Sequence, residues 1–139
     1  SPKMFDAWGV YLDRFKPKRV KRVAVRFINL FEIPESNFEL KEYFTSTPEP
    51  PPALPQNIGN FLQRLEIDSG KGMIVVVTFT TRRAAKPNTT PILLDIDVYQ
   101  NVALNSNEVA IKEKIEELHI FAEEVFEGYI TDKTRGLIK

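Results

Sequence analysis

The stretch VKRVAVRFINLFEI, residues 20–33, decides the fold because its apolar side chains recur at every second position. Successive side chains of a β-strand point to opposite faces, so this stretch predicts one long strand. One predicted face is apolar except for Asn29 and carries Val23, Val25, Phe27, Phe31 and Ile33. The other face is mixed and carries Arg22, Ala24, Arg26, Ile28, Leu30 and Glu32.

The chain on either side of this strand predicts helices at both ends and three further strands. Apolar residues at three- and four-residue steps predict an N-terminal helix over residues 4–15, ended by Pro17. Residues 60–68, 72–81 and 91–99 predict strands joined as an antiparallel meander. Residues 38–44 predict a short helix with Ser36 or Asn37 as its cap. A long C-terminal helix is predicted from a Ser106 or Asn107 cap to Tyr129, and Thr131 caps a final turn.

These elements predict an α+β fold: a twisted antiparallel sheet of about four strands, with N- and C-terminal helices packed mainly on one face. The length of 139 residues suits a single domain. Because the chain starts with Ser1-Pro2-Lys3, we expect residues 1–139 to be the C-terminal domain of a longer protein. The prolines of residues 45–57 predict a stiff, polyproline-like connector, with a ligand for an aromatic groove as the alternative.

Composition narrows the classes of function. The chain has no cysteine, which excludes a disulfide framework, a thiolate zinc site and a cysteine nucleophile, and we expect a cytoplasmic protein. No apolar run approaches the roughly 18 residues that span a bilayer, so no membrane segment is predicted. The formal net charge of zero argues against a protein that grips duplex DNA on all sides, since such binding depends on neutralising phosphates.

Four short signatures occur in order along the chain: Trp8 with Tyr11 and Leu12, then Arg26-Phe27-Ile28-Asn29, Leu94-Asp95-Ile96-Asp97, and Leu118-His119 followed by Phe126-Glu127 and Ile130-Thr131. Together they resemble the C-terminal half of a sporadically distributed, functionally uncharacterised bacterial protein family. Its members carry the patterns W-x-x-F/Y, R-Y-I-N, L-D-I-D and L-H…F-E…I-T. The resemblance covers most of the chain and implies that Asp95 and Asp97 are fixed features of the family. It implies no activity.

Asp95, Asp97 and His119 are the candidate metal ligands. The two aspartates lie two positions apart in a predicted strand, so their carboxylates share a face and suit a hard cation such as Mg²⁺. The alternative is the solvent face of an amphipathic strand. His119 lies four residues before Glu123, where the two side chains meet on one helical face. A joint site requires the C-terminal helix to cover the acidic face of the sheet.

Asn29 is the candidate binding residue on the apolar face. A buried amide must find hydrogen-bond partners or destabilise the fold. We interpret Asn29 as a polar bridge between the strand and the helix above it, with the orientation of a ligand as the alternative.

Charge is distributed unevenly despite the net balance. The basic candidates for binding lie in the first strand and in a later loop: Lys18, Arg19, Lys21, Arg22, Arg82 and Arg83. The predicted C-terminal helix is rich in glutamate. Separate patches of opposite charge favour oriented association with a partner or with a second copy of the chain.

These observations leave three hypotheses. The first is a non-enzymatic binding or assembly module that contacts a protein partner or itself. The second is a nucleic-acid-binding regulatory or defence-associated domain that uses the basic strand and loop. The third is a metal-dependent enzyme built on Asp95, Asp97 and His119. Motifs for phosphate, nucleotide or thiolate chemistry are absent from the sequence, which favours a non-enzymatic role, and no cofactor is predicted.

Overall fold

A computed structural model of the chain describes residues 4–16, 19–34, 38–56, 58–84, 87–105 and 108–138. Side chains are described for residues 22–34, 38–56, 58–84, 87–102 and 109–138. The elements are β1 (Met4–Lys16), β2 (Arg19–Ile33), a 3-10 turn (Leu40–Glu42), β3 (Leu62–Asp68), β4 (Ile74–Thr81), β5 (Thr90–Asn105), α1 (Glu108–Tyr129) and α2 (Asp132–Leu137). The predicted caps Ser36, Asn37, Ser106 and Asn107 lie outside the described residues.

The five strands form one antiparallel sheet in the order β1-β2-β5-β4-β3. The predicted α+β class is confirmed, and so is the meander, because β3, β4 and β5 pair in sequence order. β2 and β5 are the long central strands and pair from Arg19 with Asn105 to Ile33 with Thr90. The sheet therefore has two edges, β1 and β3.

The predicted N-terminal helix is wrong, because residues 4–16 form strand β1. The register places Met4, Trp8 and Leu12 opposite residues of the central strand, and these positions fit a period of two as well as a period of four. Pairing with β2 supplies backbone hydrogen bonds along the whole segment, and its aromatic and β-branched residues are common in strands. Tertiary pairing thus overrides the helical pattern and adds a fifth strand.

α1 packs on one face of the sheet, which we call the covered face. Phe126 of α1 contacts Phe27 edge-on, with ring centroids 5.1 Å apart, and stacks on Phe31 at 6.2 Å. Leu94 and Ile96 of β5 are fully buried on the same face. The alternation that predicted β2 is confirmed, since its odd-numbered residues from Val23 to Ile33 are all buried. The face that α1 does not cover is called the opposite face.

The segment around Phe44, which precedes β3 in the chain, pairs with the residues that follow α1. The predicted helix over residues 38–44 is a single 3-10 turn, followed by a β-bridge between Phe44 and Ile130. Thr131 caps α2 as predicted, accepting a hydrogen bond from the backbone N–H of Thr134 at 3.4 Å. The proline connector folds back at Pro51, whose carbonyl oxygen accepts a hydrogen bond from the backbone N–H of Leu54 at 2.9 Å. It is therefore a turn rather than a continuously extended segment.

Candidate functional site

The candidate metal ligands do not come together. Asp95 and Asp97 alternate with the buried Leu94 and Ile96, which places both aspartates on the opposite face. His119 belongs to α1, on the covered face. The condition for a joint site, a helix over the acidic face, is therefore not met. Among the described residues, no group of three or more His, Cys, Asp or Glu side chains is arranged to hold a metal ion.

The two aspartates have different surroundings. Asp95 accepts two hydrogen bonds from Arg26, at 3.0 Å from Nε to Oδ1 and at 2.5 Å from Nη2 to Oδ2. Oδ1 of Asp97 is buried and has no hydrogen-bond partner in the part of the chain that the structure describes. Burial raises the pKa of Asp97, and the charge of Asp95 adds to this rise, while Arg26 and Arg22 oppose it. Asp95 thus forms a structural ion pair with Arg26, whereas the partial burial of Asp97 disfavours its charged form.

His119 pairs with Glu123 as its spacing predicts. Nδ1 of His119 lies 3.6 Å from Oε1 of Glu123, one helical turn away. Both side chains lie on an accessible part of α1, and Glu123 is well exposed. This arrangement is an exposed helical ion pair when His119 is protonated, and such pairs contribute about 0.3–0.5 kcal/mol to stability.

Asn29 is fully buried, as its position on the apolar face predicts. The predicted polar bridge to the helix is wrong, because neither the nitrogen nor the oxygen of its amide has a hydrogen-bond partner among the described residues. A residue with no exposed surface does not reach a ligand unless the sheet and helix separate. Asn29 is therefore a cost to stability in this fold, of about 1–3 kcal/mol for a buried unpaired polar group.

The basic candidates lie at the two ends of the sheet. Arg22 pairs in register with Asn101, whereas the backbone N–H of Arg82 donates to the carbonyl of Pro91. Asn101 and Pro91 are ten positions apart in β5, or roughly 30 Å at the rise of an extended strand. Lys18 and the side chains of Arg19 and Lys21 lie outside the described residues. Arg22 of β2 therefore does not form one continuous patch with Arg82 and Arg83.

Arg22 contacts an aromatic ring of the sheet, whereas Arg82 and Arg83 are exposed. The guanidinium carbon of Arg22 lies 3.8 Å from the centroid of the Tyr99 ring, which is a cation–π contact. Arg82 and Arg83 are exposed and line an open depression of about 850 Å³ beside Thr80 and Thr81. The hydroxyl groups of both threonines lie within hydrogen-bond distance of the Phe61 carbonyl, at 2.8 and 3.4 Å.

A cleft of about 610 Å³ lies between the 3-10 turn and the proline connector, and it shares Phe61, Thr81 and Thr90 with the depression. Its apolar lining includes Phe38, Leu40, Pro48, Pro50, Ile58 and Phe61. Lys41 and Glu49 form an ion pair at 2.6 Å from opposite parts of this lining. This ion pair joins the proline connector to the 3-10 turn and so closes the cleft on one side.

Among the described residues, none pairs with the backbone groups along the outer edge of β3. The ladder with β4 is bonded at Phe61 with Thr81 and at Ser69 with Met73, where backbone N–H groups donate across the pair. In an antiparallel ladder, bonded and non-bonded pairs alternate. The odd-numbered residues of β3 therefore bond to β4, and the N–H and C=O groups of the even-numbered residues point away from the sheet. They are Leu62, Arg64, Glu66 and Asp68.

The side chains of β3 are unusually exposed for an apolar strand. Leu62 is 72% exposed, while Leu65 and Ile67 are 39% and 38% exposed. Pairing places Leu65 opposite Val77 and Ile67 opposite Val75, so both lie on the covered face but beyond the strands against which α1 packs. Arg64 and Glu66 alternate with them on the opposite face and are exposed. An edge strand of this kind is a template for pairing with another chain.

Sequence reasoning identified residues 60–68 as a strand but not as the edge of the sheet. The apolar side chains of LQRLEID fall on both faces of the strand rather than on one. This departure from strict alternation was a usable signal that β3 differs from the other strands. The order of the strands in the sheet could not be predicted, because no local pattern indicates that β5 pairs with β2. Only the tertiary pairing leaves β3 with a free side.

Comparisons with protein-family models, with curated proteins and with solved structures found no match. Neither of the described helices is long and apolar enough to cross a membrane.

Proposed function

We propose that this domain is a non-enzymatic binding module, and that a protein partner binds by adding an extended strand to the outer edge of β3. The observation that carries the proposal is the combination of unpaired backbone groups and exposed apolar side chains on one strand. In this mode of recognition, main-chain hydrogen bonds supply affinity and alternate side chains supply specificity.

The backbone supports such binding over the length of β3. The outward N–H and C=O groups recur at Leu62, Arg64, Glu66 and Asp68, which is the spacing that an added antiparallel strand requires. The ladder between β3 and β4 runs without a register shift from Leu62 to Asp68. A β-bulge, one of the features that blunt a natural sheet edge, is therefore not present in this strand.

The side chains support recognition on both faces. Leu65 and Ile67 present partly exposed apolar surface on the covered face, and Leu62 presents it on the opposite face. Complete burial of a fully exposed leucine or isoleucine side chain contributes about 1.5–3 kcal/mol to association before the entropic cost of binding, and the partly buried Leu65 and Ile67 contribute correspondingly less. Arg64 and Glu66 add charges that select the partner sequence.

The enzymatic hypothesis has less support. His119 and the two aspartates lie on opposite sides of the sheet, and Asp95 is held by Arg26. A joint proton-transfer or metal site made of these three residues would need a different packing of α1.

Site-specific photocrosslinking in the native host tests the proposal. A photoreactive amino acid at Leu62 is expected to crosslink a protein partner, whereas the same amino acid at Val109 of α1, which is 65% exposed, is the matched control. A second substitution, Glu66→Pro, removes one outward N–H and is expected to abolish the crosslink at Leu62. Equal crosslinking at Leu62 and Val109, or crosslinking that survives Glu66→Pro, would contradict strand addition at β3.

A further inference from the structure

We infer that the strand added to β3 is β3 of a second copy of this chain, which joins the two sheets into one ten-stranded sheet. This inference rests on the proposed function of β3 as a binding edge and names its partner. A symmetric dimer needs a surface that is complementary to itself under a two-fold rotation. The sequence of β3, LQRLEID, meets that condition in one register.

The register has Leu65 at the two-fold axis. Antiparallel self-pairing about Leu65 places Arg64 opposite Glu66 of the second copy, and Leu62 opposite Asp68. These are the residues whose N–H and C=O groups point outward, so every outward group of one copy meets one of the other copy. All seven residues of the strand take part in the pairing.

Charge complementarity together with the number of paired residues favours this register over its neighbours. With Leu65 at the axis, each Arg64 side chain lies beside a Glu66 side chain of the other copy, and the symmetry makes two such pairs. A shift that puts Arg64 at the axis sets two arginines against each other and places Asp68 opposite Asn60, outside β3. A shift that puts Glu66 at the axis sets two glutamates against each other; it pairs Arg64 with Asp68, but it places Leu62 opposite Gly70, outside β3. Opposite charges directly across a strand pair stabilise it, and like charges destabilise it.

Two of the three apolar side chains of β3, those of Leu65 and Ile67, also come into contact across the pair, whereas Leu62 lies opposite Asp68. Paired residues of an antiparallel ladder lie on the same face, so the two Leu65 side chains meet on the covered face, with Ile67 of each copy diagonal to Leu65 of the other. The partial exposure of Leu65 and Ile67 in the single chain is reduced by this contact. Both copies of α1 lie on the same side of the joined sheet, separated by β4 and β3 of each copy, and do not obstruct the approach.

The two charged residues are suitable for a direct test. Arg64 and Glu66 are exposed, and neither takes part in an ion pair or a side-chain hydrogen bond in the described structure. A charge reversal at either position therefore leaves the contacts within one chain unchanged. Because of the two-fold symmetry, each reversal alters two cross-strand pairs at once.

Sedimentation velocity of the purified chain over a concentration series is the experiment. A seven-residue strand pair is a small interface, so we expect a dimer with a dissociation constant in the micromolar range. Arg64→Glu and Glu66→Arg are each expected to raise that constant by at least about tenfold. The double variant R64E/E66R restores the opposite-charge pairs and is expected to dimerise like the unmodified chain.

Mixing the two single variants gives the sharpest result. A chain with Arg64→Glu presents two glutamates, and a chain with Glu66→Arg presents two arginines, so an equal mixture is expected to form a heterodimer although each alone is mainly monomeric. Glu124→Arg on the exposed surface of α1 is the control reversal and is expected to leave the dissociation constant unchanged. Circular dichroism confirms that each variant is folded.

Two outcomes would overturn the inference: a monomer at concentrations up to about 1 mM, or a dimer whose stability ignores the reversals at Arg64 and Glu66. The proposed function is judged separately by the photocrosslinking at Leu62. A purified monomer together with a specific crosslink to a different protein removes self-pairing and retains strand addition. A monomer without any specific crosslink removes both.

Discussion

Arg26 and Asp95 form a two-pronged ion pair that crosses from β2 to β5 diagonally, with Nε 3.0 Å from Oδ1 and Nη2 2.5 Å from Oδ2. The residue directly opposite Arg26 in the register is Asp97, while Asp95 lies opposite Ile28. Two aspartates on the same face, two residues apart, thus have different roles. Asp95 holds an arginine on the sheet, whereas Asp97 has a buried oxygen without a hydrogen-bond partner among the described residues.

Loss of the Arg26–Asp95 pair is expected to destabilise the sheet modestly. Asp95→Asn keeps the shape of the side chain but removes its charge, and the Arg26 side chain is 39% exposed, so we expect a loss of about 1 kcal/mol in the free energy of unfolding. Urea denaturation of Asp95→Asn, Arg26→Met and the double variant measures the coupling between the two residues. Additive losses would show that the pair contributes nothing of its own.

Asp97 is expected to make the protein less stable as the pH rises. Its pKa in the folded protein lies above the ordinary value of 3.8, mainly because of burial. Between those two pKa values the folded protein holds a proton that the unfolded chain has released, so the free energy of unfolding falls as the pH increases through this range.

Asp97→Asn removes the titrating group and is expected to raise the free energy of unfolding at pH 7 and to flatten its decline above pH 3.8. Urea denaturation at a series of pH values measures both effects. Glu124→Gln, at an exposed position of α1, is the control and should change neither. A steeper decline in the Asp97→Asn protein would contradict the role of this carboxylate.

Replacement of Asn29 by an apolar residue of similar size is expected to stabilise the protein. Asn29→Leu removes a buried amide whose two polar atoms have no partners among the residues that the structure describes, and we expect the free energy of unfolding to rise by about 1 kcal/mol. Asn29→Asp, which buries a charge instead, is expected to lower it. Guanidinium denaturation of both variants is the measurement. A marked loss of stability in Asn29→Leu would mean that the amide is bonded in the folded protein.

Proline substitutions in β3 are expected to depend on the parity of the position. Ile67→Pro removes an N–H that bonds to β4, so we expect it to lower the free energy of unfolding by about 1–3 kcal/mol. Glu66→Pro removes an outward N–H and is expected to cost much less, because proline is tolerated on the free side of an edge strand. Urea denaturation compares the two. Similar losses would contradict the alternation inferred for the edge.

Nucleic-acid binding is expected to be weak at physiological salt. The arginines at the two ends of the sheet are roughly 30 Å apart along β5, with Asp95 and Asp97 between them. Fluorescence anisotropy with single-stranded DNA, duplex DNA and RNA over a salt series measures the affinity. Tight, salt-sensitive binding that is lost when Lys21 and Arg22 are both changed to Glu would favour the nucleic-acid hypothesis over strand addition.

Several features of the fold could be predicted from the sequence because they depend on local periodicity. The odd-numbered residues from Val23 to Ile33 were predicted to share one face of β2, and they are all buried. The same reasoning placed Asp95 and Asp97 together on the face opposite Leu94 and Ile96. The spacing of His119 and Glu123 predicted their contact on α1. In each case the pattern spans a few residues of one element, so backbone geometry alone determines the result.

Other features depended on contacts between distant segments. Residues 4–16 carry a pattern that fits a helix, and pairing with β2 made them a strand. Asn29 was placed on the buried face correctly, but the absence of a partner depends on which helix residues come to lie above it. Whether His119 meets the aspartates depended on which face α1 covers.

The sequence by itself determined the period, and hence the faces, of each long strand and helix, because side-chain direction follows from local backbone geometry. The tertiary structure decided which strand lies at the edge of the sheet, because strand order comes from pairing between segments far apart in the chain. The unpaired side of β3 is a product of that order. The charges of Arg64 and Glu66 are evident from the sequence, but only their position on this edge makes them available for pairing with another strand.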